Sequence, residues 1–283
     1  MIERLNMKKL LLLLVLTSLS IQSQNIKILT YNLRVDFGGD GENNWEFRRD
    51  LLANQIAFYN PDFIGTQEGK WHQLHYIDSL LTNHIYIGTS RDNSKTEGEF
   101  CAIFYNKNKY KCLSESTFWL SPTPEIRSRG WDAAYDRICT YALFEDLKTR
   151  KQFYVFNTHL DHIGEVAKAK GAELIVERIK LVNLKNLPVI LMGDFNSEPN
   201  SVAYQTISKF MNDSKLISQS KPFGPSGTFN TFKFHEPVTY LIDYIFTTKG
   251  NIDVLKHAVS SDSKDCKYPS DHLPVYIEMA FKK

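Results

Sequence analysis

The chain has 283 residues, of which 42% are hydrophobic and 23% charged, and this composition excludes a disordered or fibrous protein. One large domain or two modest ones fit the length. Lysine and arginine number 34 against 32 acidic residues, and the formal net charge of +2 gives no sign of the strong positive field expected of a protein that binds nucleic acid tightly and without sequence preference.

Residues 1–24 predict a secretory signal peptide. A basic start with Lys8 and Lys9 is followed by an apolar run from Leu10 to Leu16 and then by small and polar residues. The run is far shorter than the roughly 20 apolar residues of a transmembrane helix. We therefore expect an exported protein, periplasmic or secreted, without stable membrane insertion. Removing the segment takes away three basic residues and one acidic residue, so the mature chain is formally neutral.

Short segments rich in β-branched and aromatic residues predict strands along the whole mature chain. In order, they are IKILTYN, DFIGTQE, EFCAIFYN, KCLSESTFWL, RICTYALFE, FYVFNTHL, PVILMGDFN, LIDYIFTT and HLPVYIEMAF. Between them, residues 45–59 and 163–184 have helical periodicity, with Leu52 and Ile56 on one face of the first helix and Ile175 and Ile179 on one face of the second. This alternation predicts a single α/β or α+β domain over residues 25–283, with layered sheets and outer helices.

The four cysteines do not predict a zinc site, because Cys101, Cys112, Cys139 and Cys266 are widely separated and form no CxxC pair. Cys101 and Cys112 flank a predicted hairpin turn at residues 106–109, and an exported protein could oxidise them. The alternative is that the cysteines are small buried residues.

Several predicted strands end in an acid, an amide or a histidine. These residues are Asn32, Glu68, His159, Asp161, Asp194, Asn196, Asp243, Asp271 and His272. Asp and Asn are also common turn residues, so GDFNSEPNS alone would indicate a loop with a helix cap. A lone His159 would more simply be a partly buried histidine. The repetition of the pattern instead favours one polar pocket where strand ends converge.

Such a pocket has the groups needed to bind a hard cation. Glu68 and Asp271, with the Asn32 carbonyl, offer oxygen ligands that suit Mg²⁺, or Mn²⁺, better than zinc. The two histidines have carboxylates available to orient them, as proton transfer requires. A cation of this kind beside His/Asp pairs is suited to the attack of water on a phosphate ester.

The same residues resemble the endonuclease/exonuclease/phosphatase superfamily in content and order. The motifs are YNLR, GTQEG, NTHLDH, GDFNSEP, IDYIF and SDHLPV. The resemblance implies a four-layer sandwich in which two mixed β-sheets pack face to face with helices outside. It also implies hydrolysis of phosphomonoesters or phosphodiesters with a divalent metal.

The resemblance also implies roles for individual residues. Glu68 would bind the metal, with Asn32 and Asp271 near the same ion. Asp194 would position or deprotonate the attacking water, and Asn196 would hold that water or a phosphate oxygen.

The remaining roles concern the phosphate. His272, oriented by Asp243, would stabilise the phosphate or act as general acid or base. His159 would contact the phosphate from the other sheet.

The segment FWLSPTPEIRSRGWDAAYDRICTYALF resembles a bacterial, often exported, subgroup of this superfamily. In it, Trp131 and Arg137, with Arg127 as a further candidate, predict a pocket for a ring and a phosphate. Asp161 is the third predicted substrate-binding residue. The alternative is that Trp119 and Trp131 pack in the core or in a loop.

Four functions are compatible with this sequence. The first is an exported Mg²⁺-dependent phosphoesterase that hydrolyses phosphomonoesters or phosphodiesters, with a small phosphorylated metabolite or sugar phosphate at least as favoured as nucleic acid. A nuclease and a sphingomyelinase-like phospholipase are alternatives, in which the partner is nucleic acid or a lipid head group. The neutral mature chain argues mildly against a nuclease. A non-catalytic binding protein of the same fold is disfavoured, because every expected acid, amide and histidine is present.

Overall fold

The computed structural model of the protein describes residues 25–282, so the predicted signal peptide lies outside the described residues. The strands are β1 (Ile26–Asn32), β2 (Phe63–Gly69), β3 (His84–Ile87), β4 (Phe100–Asn106), β5 (Tyr110–Trp119), β6 (Ile138–Asp146), β7 (Gln152–His159), β8 (Val189–Asp194), β9 (Met211–Asp213), β10 (Asp243–Thr248), β11 (Ile252–Val259) and β12 (Val275–Phe281). The helices are α1 (Trp45–Tyr59), α2 (Trp71–Leu80), α3 (Glu165–Val182), α4 (Val202–Phe210) and α5 (Ser214–Ile217).

Over the described range, the strands form two six-stranded sheets. The order is β11-β12-β1-β2-β4-β3 in the first sheet and β5-β6-β7-β8-β10-β9 in the second. Each sheet contains one parallel pair near its centre, β1 with β2 and β7 with β8. Parallel neighbours need a long crossover. Helix α1 provides it in the first sheet and α3 in the second, so both pairs direct their carboxyl ends toward one edge.

Three apolar layers hold the sheets and helices together. Phe63 of the first sheet and Phe144 of the second belong to the core between the sheets. Ile56 of α1 packs with the outer face of the first sheet, and Ile175 and Ile179 of α3 pack with the outer face of the second. The order of layers is therefore helix, sheet, sheet, helix. The predicted four-layer sandwich of two mixed sheets is confirmed.

A buried amide links the two sheets just below this edge. Asn157 of β7 donates from Nδ2 to the carbonyls of Thr66 at 2.9 Å and Ala102 at 2.8 Å, both in the first sheet. Its Oδ1 accepts from Gln67 Nε2 at 2.7 Å. Gln67 directly precedes Glu68, so this polar contact fixes the end of β2 against the opposite sheet.

One prediction about the connections is wrong. Residues 106–109 join β4 to β5, but these strands belong to different sheets, so the segment does not close a hairpin. Local alternation cannot reveal this, because a turn between sheets uses the same residues as a hairpin turn. Cys101 and Cys139 are buried, as the simpler alternative predicts, whereas Cys112 is half-buried and Cys266 is exposed. All four thiols are unpaired.

Among the described helices, none has the length and apolar character needed to cross a membrane.

Candidate active site

The polar strand ends converge on one cavity of about 530 Å³ at the edge where the parallel strands end. Six of the predicted site residues line it together with Arg137: they are Glu68, His159, Asp194, Asn196, Asp271 and His272. Asn32 and Asp243 are buried and hydrogen-bond to these lining residues from below. The structure therefore brings together both sheets at a single polar centre.

Asn32 and Glu68 come from adjacent parallel strands. Asn32 Nδ2 donates to Glu68 Oε1 and to Asp194 Oδ2, both at 3.0 Å, and so bridges the two sheets. Its Oδ1 accepts from the backbone N–H of Arg34 at 3.0 Å. The amide thus presents its nitrogen to the carboxylates, whereas the motif predicts that its carbonyl faces the metal. Glu68 has a left-handed backbone with φ of 62°, a strained geometry that is common at functional sites.

Asp194 lies between two other site residues that the second sheet supplies. It is paired with His159 in the parallel register of β7 and β8 and with Asp243 in the antiparallel register of β8 and β10. Gly193 before it permits the close approach of β7, because a Cβ there would lie 2.1 Å from the Thr158 carbonyl oxygen. In the GDFN motif, the acid is therefore a site residue, and the glycine before it is required because no side chain fits beside β7.

His272 is held between two carboxylates. Its Nδ1 lies 2.9 Å from Asp243 Oδ2, and its Nε2 lies 3.8 Å from Asp194 Oδ2. The ring packs against Phe229 with centroids 4.8 Å apart. Burial disfavours the charged ring, but Asp243 and Asp194 outweigh it and raise the pKa of His272 well above its ordinary value. We therefore expect an imidazolium at neutral pH.

The pKa values of Asp194 and His159 both shift in the direction that favours the uncharged form. Burial, reinforced by Asp243, raises the pKa of Asp194 from 3.8 to about 7. Burial and the nearby Arg137 hold the pKa of His159 well below its ordinary value. His159 Nε2 lies 3.1 Å from Asn196 Nδ2 and, being unprotonated, can accept its hydrogen bond. A neutral His159 thus positions Asn196.

The family model described as Endonuclease/Exonuclease/phosphatase family matches residues 29–272, which span all of these positions. The chain belongs to the endonuclease/exonuclease/phosphatase family. The predicted superfamily is therefore confirmed, and with it the predicted class of enzyme, a hydrolase of phosphoric esters.

The proteins that this chain is similar to include one named as a phosphatase and one named as a nuclease. A mannosyl-6-phosphatase of Bacteroides thetaiotaomicron is 35% identical, with a TM-score of 0.86 over 90% of this chain and 100% of that one. Mouse nocturnin is 24% identical over 94% of this chain and 68% of its own length. The Ccr4 3'-5'-exoribonuclease subunit of the Candida albicans CCR4-Not complex is 23% identical over 92% of this chain and 42% of its own length.

The donor set fits the divalent cation used by the endonuclease/exonuclease/phosphatase family. One oxygen each of Glu68 and Asp194 and one nitrogen of His159 lie within 4.8 Å of one another. Asp271 faces the same cavity, and Arg34 Nη1 lies 3.7 Å from its Oδ2. Carboxylate oxygens without thiolates are what Mg²⁺ and Mn²⁺ prefer.

The predicted substrate-binding residues are not all in the cavity. Arg137 lines it, with 7% of its side chain exposed. Asp161 instead lies behind Arg137 and accepts from Arg137 Nε at 3.2 Å and from the N–H groups of Ile163 and Gly164 at 3.0 and 2.8 Å. Burial opposes its ionisation, but these donors outweigh burial and depress its pKa. Asp161 thus orients Arg137. Trp131 is not among the residues that line the cavity.

Several lining residues were missed by the sequence analysis. They are Arg34, Val35, Phe37, Lys70, Arg91, Glu99, Tyr135, His162 and Phe229. Arg34 lies inside the motif YNLR and His162 inside NTHLDH, whereas Glu99 begins the predicted strand EFCAIFYN. Tyr135 lies four residues after Trp131. Most of these residues are charged or aromatic and lie inside or beside the recognised motifs, and this position in the sequence could have indicated them.

Proposed function

We propose that this protein is an Mg²⁺-dependent phosphomonoesterase that acts on a phosphorylated sugar or a similar small metabolite. The observation that carries the proposal is the cavity of about 530 Å³, a volume in the range of small-ligand sites, with the Asp194 and His272 pair among its lining residues. The 35% identity to a mannosyl-6-phosphatase supports a sugar ester as substrate.

The phosphate would be held by groups that the chain already positions. Arg137, fixed by Asp161, offers a guanidinium to the phosphate oxygens. Asn196 directs its Nδ2 at His159 and at the Leu160 carbonyl, so its Oδ1 would accept a hydrogen bond from the attacking water. Lys70, whose Nζ donates to the Asp36 carbonyl at 2.5 Å, adds positive charge to the same cavity. These contacts orient the phosphorus for in-line attack.

Water and proton handling would fall to Asp194 and His272. A carboxylate with a pKa of about 7 can accept a proton from water near neutral pH. A protonated His272, held by Asp243, can donate from Nε2 to a phosphate oxygen or to the leaving alcohol. A divalent cation bound at Glu68 and Asp271, beside Asn32, would neutralise charge on the phosphoryl oxygens.

A nuclease is the second candidate, and the similarity to an exoribonuclease subunit supports it. Two of the cavity's arginines are already paired, Arg34 with Asp40 at 2.8 Å and Arg91 with Glu99 at 2.7 Å. Paired cations attract a polyanion less strongly than free ones. A lipid head group is the third class of substrate considered, and the panel below includes it.

A substrate panel tests this proposal. The protein from residue 25 onward is assayed with Mg²⁺ on hexose 6-phosphates, bis-p-nitrophenyl phosphate, an RNA oligomer and sphingomyelin vesicles. We expect kcat/KM for the best hexose phosphate to exceed that for every diester by at least about 100-fold. Asp194→Asn, purified in parallel, controls for contaminating phosphatases. Shortening of the RNA with a higher kcat/KM than any monoester would instead establish the nuclease.

Export is a separate proposal, supported by the basic and apolar pattern of residues 1–24. The test is cell fractionation followed by mass spectrometry of the purified protein. We expect an N-terminus near residue 25 in the periplasm or medium. A cytoplasmic protein that retains residues 1–24 would contradict it.

A further inference from the structure

One wall of the active-site cavity has no part in the chemistry described above. It is formed by Arg91, Glu99 and Tyr135, which we name the alcohol wall. Arg91 and Glu99 also border a small recess together with Glu68 and His159. The alcohol wall therefore begins beside the position of the reacting phosphate.

The alcohol wall is built as a rigid unit. Two contacts join Arg91 to Glu99, Nη1 to Oε2 at 3.0 Å and Nη2 to Oε1 at 2.7 Å. The Arg91 backbone is fixed on both sides, because its N–H donates to the Glu99 carbonyl at 2.9 Å and its carbonyl accepts from Trp119 Nε1 at 2.8 Å. A pair held in this way can bind a ligand with little loss of side-chain entropy.

Tyr135 extends this unit toward solvent. Its ring lies 4.8 Å from the Arg91 guanidinium carbon and stacks with His162 at 5.7 Å and 16°. Its N–H is directed at Asp161 Oδ2 at 3.3 Å, so the carboxylate that orients Arg137 also anchors this loop. The residue nevertheless remains 48% exposed. The exposed part of this anchored side chain is available to contact a ligand in the cavity.

The chemistry of the alcohol wall selects a neutral, hydroxyl-rich group. A sugar hydroxyl both donates and accepts, and a carboxylate paired with a guanidinium offers further acceptor and donor positions at once. The charges of the pair cancel, so a second phosphate would gain no free cation from Arg91 and would meet the Glu99 carboxylate. An aromatic ring packs against the C–H face of a sugar.

We propose that the alcohol wall is the subsite that binds the alcohol part of the substrate, and that it selects a sugar-like polyol over a second anionic group. This inference rests on the proposed phosphomonoesterase function. It goes beyond that function because it assigns specificity to residues that do not touch the phosphorus.

The test compares Glu99→Gln and Tyr135→Ala with wild type on two substrates, the best hexose phosphate of the panel and methyl phosphate. Loss of a hydrogen bond to a charged group is worth about 10- to 100-fold. We expect the KM for the hexose phosphate to rise by about 10- to 100-fold in Glu99→Gln and to rise also in Tyr135→Ala, which loses the ring contact. In each variant the rise in KM should be at least about 10-fold larger for the hexose phosphate than for methyl phosphate. Phe58→Ala, which changes an exposed aromatic residue of α1 outside the cavity, is the matched control.

Two outcomes overturn the inference. Equal losses on both substrates in folded variants would show that the alcohol wall acts on the phosphate. A selective loss in Phe37→Ala but not in Tyr135→Ala would place the alcohol at the other end of the cavity. A wild-type protein that hydrolyses neither monoester would instead remove the proposed function itself. Thermal unfolding of each variant separates misfolding from lost binding, and Tyr135→Ala changes a half-exposed residue.

Discussion

Asp194 is the residue on which the proposed chemistry depends most. It accepts hydrogen bonds from Asn32 of the opposite sheet and from the N–H of Asn196 at 2.9 Å. Asp243 is its partner on the neighbouring strand, and His272 Nε2 lies 3.8 Å from its Oδ2. These contacts hold a carboxylate in place without pairing it fully with a cation. A group held in this way can take a proton from water in one defined direction.

Asp194→Asn should therefore keep the fold and lose the reaction. We expect kcat with saturating Mg²⁺ to fall by at least about 100-fold, since a base of this kind contributes about 10²- to 10⁴-fold. Steady-state kinetics on the best hexose phosphate is the measurement. Glu177→Gln, an exposed change on α3, controls for the loss of one negative charge and should retain wild-type turnover. Turnover of Asp194→Asn at the wild-type rate would exclude Asp194 as the base.

The raised pKa of Asp194 also predicts how stability depends on pH. The folded protein holds this proton up to about pH 7, while the unfolded chain releases it near 3.8. Asp194 therefore lowers stability progressively as pH rises from about 4 to about 7.

The comparison is thermal unfolding of wild type and Asp194→Asn in chelator at several pH values. We expect equal stability near pH 4 and a more stable variant at pH 8, by up to about 4 kcal/mol from a shift of about three pKa units. Addition of Mg²⁺ should narrow the difference, because the metal stabilises the ionised wild-type site. A difference that does not change with pH would show that Asp194 is ionised throughout.

Among the structural elements, β2 and β7 are joined by the buried Asn157 amide. Asn157→Ala would leave the carbonyls of Thr66 and Ala102 without this donor, and an unsatisfied buried group costs about 1–3 kcal/mol. We expect the free energy of unfolding to fall by about 2–5 kcal/mol in a urea titration. Asn54→Ala on the exposed face of α1 is the control. Equal effects of the two substitutions would mean that the link between the sheets adds no stability.

Much of the element content could be predicted from sequence. Helix α1 spans residues 45–59 as predicted, and α3 is one turn or less from the predicted 163–184, because apolar residues such as Leu52 and Ile56 recur at helical spacing. The short strands β3 and β9 were missed, as was β11, which has charged residues among its apolar ones. Which sheet each strand joins could not be predicted, since pairing depends on contacts distant in the chain.

The site residues, too, fall into those that could be predicted from sequence and those that could not. Residues at the ends of parallel strands, such as Glu68 and Asp194, could be predicted to meet because their position follows from the strand itself. Residues on loops could not, because loop direction depends on tertiary contacts. Tyr135 lines the cavity whereas Trp131 does not, although the sequence favours the tryptophan as the larger aromatic surface.

At the scale of the whole molecule, two strand–helix–strand units face each other and supply the site from both sides. The first contributes Asn32 and Glu68, and the second contributes His159 and Asp194. Neither half contains a complete centre, so catalysis requires the sheets to stay packed. Residues 25–283 carry no formal net charge, which fits the proposed small substrate, held by local charge in this cavity and by a cation bound to its acids.

The most direct test of this account is phosphate release from the best hexose phosphate before and after chelation. The purified protein is treated with excess chelator, assayed, and assayed again after Mg²⁺ is added in excess, with Asp194→Asn in parallel. We predict loss of turnover in chelator, full recovery in wild type with Mg²⁺, and no recovery in the variant. Full turnover in excess chelator would contradict a metal-dependent mechanism at this site.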